Sequence, residues 1–286
     1  MSIKLICTDV DGTLLNKQRE VDQHTIKTVA QLDPGIRFVL ASSRMPKALY
    51  HIQNTLQISQ MPLICYNGAL ILSSGIEFDQ KKVISSIMIS AENVKTMMDL
   101  ATQHQVHISI YQNNTWLASA IDFFAQREIN NTRVEPDGLI CDFSAEQLQE
   151  FIAEGAHKIM LMGQPELLDV IEANLRANLN VAVWRSKDIY LEVTPFTNKS
   201  EGLQLLMQSF PAANSVKPEE TMAFGDGYND IELLTYAGVG VAVGNAVSPL
   251  KEVAFAVTKP NIEHGVAYFL EDYFQQQQSG DAVFND

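Results

Sequence analysis

Residues 3–13 read Ile3-Lys4-Leu5-Ile6-Cys7-Thr8-Asp9-Val10-Asp11-Gly12-Thr13. The run from Ile3 to Val10 is short and apolar and ends in acids, which is how a strand buried on both faces looks when its carboxyl end carries chemistry. The pattern recurs downstream. Val21 to Leu32 has apolar residues at helical spacing and is broken by Asp33-Pro34-Gly35. Ile36 to Ala41 is a second apolar run ending in Ser42-Ser43-Arg44; Pro46 to Leu56 reads as a helix; Leu63 to Tyr66 is a third run ending in Asn67-Gly68. Strand alternating with helix in this way predicts a doubly wound, mostly parallel α/β sheet, whose ligands sit beyond the carboxyl ends of the strands.

The rhythm changes between Val83 and Val193. Strand-like segments (Ile84–Ile89, Val106–Tyr111, Ile159–Met162, Val181–Trp184, Ile189–Val193) alternate with helical ones (Ala91–His104, Ile121–Glu128, Glu146–Glu154, Glu166–Leu179). The expectation is an inserted α/β domain over 83–193, with its own sheet and helices on one face, between core segments 1–82 and 194–286. The core alternation then resumes: helix Ser200–Met207, strand Thr221–Phe224, helix Ile231–Tyr236, strand Val239–Val243 and helix Pro249–Glu252. The closing stretch Gln275 to Asp286 is polar and expected to fray.

Composition narrows the function. The 286 residues are 46% hydrophobic and 19% charged, a globular balance with length for one large or two modest domains. With 34 acidic against 20 basic residues the net charge is −14, which opposes nucleic-acid binding unless a basic patch offsets it. The densest basic cluster is only Lys81-Lys82. Cys7, Cys65 and Cys141 lie far apart without a CxxC pair and read as buried, reduced thiols. The apolar start is interrupted by Asp9 and Asp11, so it reads as neither signal sequence nor membrane span. A cytoplasmic protein is expected, with neither nucleic acid nor membrane as partner.

Four sites fall at strand ends or helix starts: Asp9 to Thr13, Ser42, Lys199, and Gly225-Asp226-Gly227-Tyr228-Asn229-Asp230. Clustered carboxylates repel one another unless a cation joins them, and all-oxygen ligands favour a hard ion such as Mg²⁺. Such an ion suits a phosphoryl substrate, whose remaining oxygens a hydroxyl (Ser42) and an ammonium (Lys199) can hold. Gly12 and Gly225 would let backbone amides approach that charge. Of two acids one residue apart, one can attack phosphorus and the other can protonate the leaving oxygen and then deprotonate water.

These motifs, in this order, resemble the haloacid dehalogenase superfamily, and their placement resembles its Cof-type branch of sugar-phosphate phosphatases. The likeness runs from Asp9 to Asp230. It implies Asp9 as nucleophile and Mg²⁺ ligand, and Asp11 as general acid/base that also gives its backbone carbonyl to the ion. Ser42 would bind the transferring phosphoryl group, and Lys199 would neutralise it while orienting Asp9. Asp226 would be the main further ligand, with Asn229 and Asp230 completing the acidic end. Asn67 resembles the family's Asn-Gly-Ala step, and Ser42-Ser43-Arg44 stands where the family often has Thr-Gly-Arg. The expected substrate-binding set is therefore Ser42, Ser43, Arg44, Asn67, Lys199 and Asn229, and the metal set Asp9, Asp11, Asp226 and Asp230. In this family an insertion between the positions of Ser42 and Lys199 is a substrate-selecting cap.

Other readings weigh against these. Asp9, Asp11 and Glu20 sit at EF-hand positions one, three and twelve, but Leu14 occupies the glycine position and a strand precedes them. Asp230 serves equally as a helix N-cap, and Arg44 pairs with substrate phosphate or with a cap carboxylate. His104 and His107 read as surface histidines. Trp116 and Trp184 read as core rather than as sugar-stacking residues. Two rivals share the acids: a phosphosugar mutase using the same aspartyl-phosphate, and a phosphate-accepting signalling module. Asp11 and the large insertion count against the signalling module.

Overall fold

The computed structural model describes residues 2–75 and 78–279. The opening segment forms β1 (Leu5–Thr8), α1 (Gln23–Ala30), β2 (Arg37–Ala41), α2 (Lys47–Thr55), β3 (Leu63–Cys65), β4 (Leu70–Leu72) and β5 (Val83–Ser86). The middle segment forms α3 (Ala91–His104), β6 (His107–Gln112), β7 (Thr115–Ala118), α4 (Phe123–Thr132), β8 (Gly138–Leu139), α5 (Ala145–Ile152), β9 (Lys158–Met162), α6 (Pro165–Asn178), β10 (Ala182–Lys187) and β11 (Tyr190–Thr194). The closing segment forms α7 (Lys199–Gln208), β12 (Thr221–Gly225), α8 (Ile231–Tyr236), β13 (Val239–Ala242), α9 (Ser248–Val253), β14 (Ala256–Val257) and α10 (Gly265–Ser279).

The chain divides into two units. One comprises Met1–Ser43, Leu49–Ile84 and Asn198–Asp286; the other comprises Arg44–Ala48 and Ser85–Thr197. The first is built on an eight-stranded sheet in the order β14-β13-β12-β1-β2-β3-β4-β5. The pairs β14/β13, β13/β12, β12/β1, β1/β2 and β2/β3 are parallel, and β3/β4 is antiparallel. Every residue of β1 is buried, as its unbroken apolar run requires. Because β1 lies between β12 and β2, the strand order reverses beside it, where a doubly wound sheet opens a crevice at its carboxyl edge.

The second unit has a six-stranded sheet, β10-β11-β9-β6-β7-β8, antiparallel except for β7/β8. One face packs Ile108, Ile110, Ile159, Leu161 and Leu191 against α3, α5 and α6 through Met97, Ile152 and Ile171. Helix α4 breaks the expected one-sided layering. Its Phe124 lies against His107 and Tyr190, which alternate with the core-facing Ile108 and Leu191 and so point to the opposite face. Local capping is strong: Ser90 starts α3, Asp122 starts α4, and Ser144 with Gln147 forms a capping box on α5. Each such cap contributes about 1 kcal/mol.

Several expectations shift. The run Ile84–Ile89 is not the opening strand of the insert: β5 joins the edge of the first sheet, and only Ile89 bridges to Ala156. Cys141 is exposed rather than buried. His107 is buried, with a side chain 1% exposed, because Asp122 and Ser109 satisfy its two ring nitrogens. Trp116 is core, donating to Ser109, whereas Trp184 is exposed. Of the stretch expected to fray, Gln275–Ser279 continues α10, and 280–286 lie outside the described residues. No helix among the described residues is long and apolar enough to cross a membrane.

Candidate active site

All the groups described next, Arg44 apart, belong to the first unit. Asp9 follows β1, and its backbone N–H still donates to Phe224 at 2.9 Å, so the first acid is held in register with β12. Ser42 follows β2 and donates its N–H to Ile64; Asn67 returns an N–H to the Ser42 carbonyl. The turn carrying Asn67 puts Tyr66 and Asn67 at positive φ, 53° and 54°, a conformation that costs a side-chain-bearing residue energy and recurs at functional sites. Asn229 Nδ2 donates to Asn67 Oδ1 at 3.1 Å, bringing the ends of β3 and β12 together.

Lys199 opens α7 behind an N-cap in which the Asn198 side chain accepts from the Glu201 N–H. Its side chain is fully buried and donates to Asp9 Oδ1 at 2.5 Å and Asp230 Oδ1 at 2.7 Å. Asp230 is also fully buried, and its Oδ2 accepts the N–H groups of Asp226 and Gly227 at 3.0 Å each. Asp230 therefore folds its own loop and aims the lysine; its side chain makes no cap bond to α8. Thr13 donates to Asp226 Oδ1 at 3.2 Å.

The glycines make room for carboxylates. Gly12 has φ +84°, and a Cβ there would stand 2.2 Å from Asp226 Oδ2; a Cβ on Gly225 would stand 2.4 Å from that of Asp230. Oxygens of Asp9, Asp226 and Asp230 lie within 4.8 Å of one another. Burial pushes the Asp9 carboxyl up to about 8, with Asp230 and Asp226 adding to the rise and Lys199 opposing it. Burial, then Asp230, pushes Asp226 up to about 6. Burial works against the Lys199 ammonium, but its two carboxylates outweigh it and keep it charged. One buried oxygen, Asp9 Oδ2, has no hydrogen-bond partner. Three carboxylates, one ammonium and an orphaned oxygen leave an excess of negative charge that a hard divalent cation fits.

The structure thus brings together Asp9, Ser42, Asn67, Lys199, Asp226, Asn229 and Asp230. Ser43 follows Ser42 half-buried at the end of its segment. The Asp11 carboxylate stands outside the acidic group and accepts from Arg19 at 2.9 Å. Arg44 belongs to the second unit, where its guanidinium donates to the carbonyls of Ala48 and Asn131. Sequence reasoning included Thr13 in the first motif without giving it a role, and passed over Asn245. Asn245 donates to the Gly12 carbonyl at 2.8 Å and accepts the Asn261 N–H. A polar residue just past β13 was a signal available from the same strand-end rule.

Known proteins share this arrangement. The family profile of haloacid dehalogenase-like hydrolases matches residues 6–270. A putative phosphatase of Haemophilus influenzae is 29% identical, over 96% of this chain and all of that protein. The 5-amino-6-(5-phospho-D-ribitylamino)uracil phosphatase YitU of Bacillus subtilis is 27% identical, over 94% of this chain and 97% of its own length. Among solved structures, a haloacid dehalogenase-like hydrolase from Bacteroides thetaiotaomicron superposes with a TM-score of 0.82 at 28% identity, covering 96% of this chain and all of that one. With the acids after β1 and β12 gathered around one lysine and the profile spanning nearly the whole chain, the protein belongs to the haloacid dehalogenase-like hydrolases and is a phosphoric monoester hydrolase.

Proposed function

We propose that the protein is a Mg²⁺-dependent cytoplasmic phosphatase that hydrolyses a small phosphorylated metabolite, a sugar phosphate, through an aspartyl-phosphate on Asp9. The carrying observation is Asp9 itself: Oδ1 is clamped by a charged lysine while buried Oδ2 has no partner, beside two further carboxylates. Asp9 and Asp226, with the Asp11 backbone carbonyl, would hold Mg²⁺, which when bound offsets the negative charge of carboxylates and phosphoryl oxygens. Asp230, expected from the sequence as a further ligand, has both oxygens engaged by Lys199 and its own loop and would act behind them. An Asp9 oxygen forms a bond to phosphorus as the ester P–O bond breaks, and the departing oxygen takes a proton from Asp11. Water then gives a proton to Asp11 while its oxygen bonds to phosphorus, the Asp9–phosphorus link breaks and inorganic phosphate leaves. Lys199 holds Asp9 and balances charge, and Ser42, Asn67 and Asn229 bind phosphoryl oxygens.

The inserted segment 83–193 selects the substrate. The sugar-phosphate class has support from YitU, whose named substrate carries a phosphorylated ribityl chain. A screen of phosphorylated sugars and polyols with and without EDTA tests the reading. Phosphate release that requires Mg²⁺ supports it, while isomerised sugar phosphate without net release points to a mutase. Normal turnover by Asp9→Asn sinks it.

A further inference from the structure

We infer that Arg19 is a positioning residue for Asp11, an inference that rests on the acid/base role proposed for that carboxylate. Arg19 Nη1 donates to Asp11 Oδ1 at 2.9 Å, from eight residues further along the chain. Both side chains are 39% exposed, and an ion pair so open to water contributes little when its partners are free to wander. These partners are not free. The Asn16 side-chain oxygen accepts the N–H groups of Gln18 and Glu20, while the Asn16 backbone N–H donates to the Glu20 carbonyl and the Asn16 backbone carbonyl accepts the Arg19 N–H. The segment before it is pinned too. Leu14 and Leu15 donate back to the Val10 carbonyl, and the Leu15 carbonyl accepts from the Asn261 side chain.

This closed loop puts Arg19 itself at φ 57°, in the left-handed region that glycine or asparagine occupies at less cost. A long cationic side chain in that position is explained by what it touches. The fixed backbone presents the guanidinium to Asp11 and so selects the rotamer from which that carboxyl exchanges a proton with the departing oxygen and with water. Lysine at this position would keep the charge but lose the planar fork of donors.

The test compares wild type, Arg19→Gly, Arg19→Lys and Asp11→Asn on p-nitrophenyl phosphate and phenyl phosphate with Mg²⁺. Glycine suits the left-handed backbone, so that variant removes the guanidinium without straining the loop. The p-nitrophenolate group departs readily without a proton, whereas phenolate departs far better with one. Arg19→Gly is expected to lose about 10-fold or more in kcat/KM on phenyl phosphate and less than about threefold on p-nitrophenyl phosphate, a fraction of the full value of acid catalysis. Arg19→Lys should recover part of the loss, and Asp11→Asn should show the same selectivity more strongly. Equal losses on both esters, no loss, or a gain overturns the positioning role alone. If Asp11→Asn shows no selectivity, or wild type releases no phosphate, the underlying acid/base reading falls and this inference with it.

Discussion

The Lys199 ammonium lies 2.7 Å from Asp230 Oδ1, and neither side chain has any exposed surface. A buried pair of this kind joins two separate parts of the chain, the start of α7 and the loop after β12, beside Asp9. Removing one partner leaves the other charge stranded. Lys199→Met is expected to lower the free energy of unfolding by about 3–5 kcal/mol and to cut phosphate release by about 10²–10³-fold. Urea unfolding and a phosphate assay measure the two effects. A stable, fully active variant would contradict the charge accounting above.

Asp9→Asn should behave differently. The Asp9 charge is disfavoured by burial and by its acidic neighbours, so its loss does not destabilise the metal-free protein. Activity should fall by about 10⁴-fold or more if Asp9 is the proposed nucleophile, because groups that act as a unit lose nearly everything when one is removed. Equal or higher thermal midpoints in EDTA, together with lost turnover, are the expected pair of results.

The same carboxyls set a pH dependence. The folded-state values of Asp9 and Asp226 stand near 8 and 6, above the ordinary 3.8. At these two sites the folded protein binds more protons than the unfolded chain between about pH 4 and 8, so their contribution to stability falls as pH rises through that window. The imidazoles of His107 and His157, pushed down by burial, work against them below about pH 6.5 and leave the fall to be read toward pH 8. Below that window, Asp22 and Glu271, whose carboxyls are held down by hydrogen bonds, work in the opposite sense. In EDTA the thermal midpoint should be higher at pH 5.5 than at pH 8. Adding Mg²⁺ should raise it at pH 8 and do little at pH 5.5. A midpoint in EDTA that rises from pH 5.5 to pH 8 would refute this.

Gly12→Ala should weaken cation binding more than it weakens the fold. A methyl group there meets Asp226 Oδ2 at 2.2 Å on a backbone already at positive φ. The conformational cost is about 1–2 kcal/mol, and Asp226 must move as well. A Mg²⁺ titration followed by activity should shift to higher concentration, and unfolding in EDTA should show only the modest loss.

Much of the site was legible because catalytic groups on a parallel sheet sit just past its strands. Asp9, Ser42 and Asp226 each follow an apolar run that forms β1, β2 or β12. Helix α3 spans the predicted Ala91–His104 because Ser90 caps it and its apolar residues keep helical spacing. Helix α10 was missed although Val266, Phe269, Leu270 and Tyr273, all buried, keep helical spacing; that stretch was given no assignment, and only the glutamine-rich end after it was read, as polar coil. His107 was misjudged because Asp122, fifteen residues on, reaches it only through the fold, where it joins Ser109 on the same face of β6.

The sequence by itself determined which chemical groups stand at the strand ends and in what order, because apolar runs and the breaks after them are local properties of the chain. Tertiary structure alone decided which of those groups meet. Asp9 and Lys199 touch across 190 positions, Asp230 spends its oxygens on the lysine and its own loop, and Arg44 bonds within the second unit. Such pairings depend on strand order and on how buried charges find partners, and no periodicity along the chain encodes either.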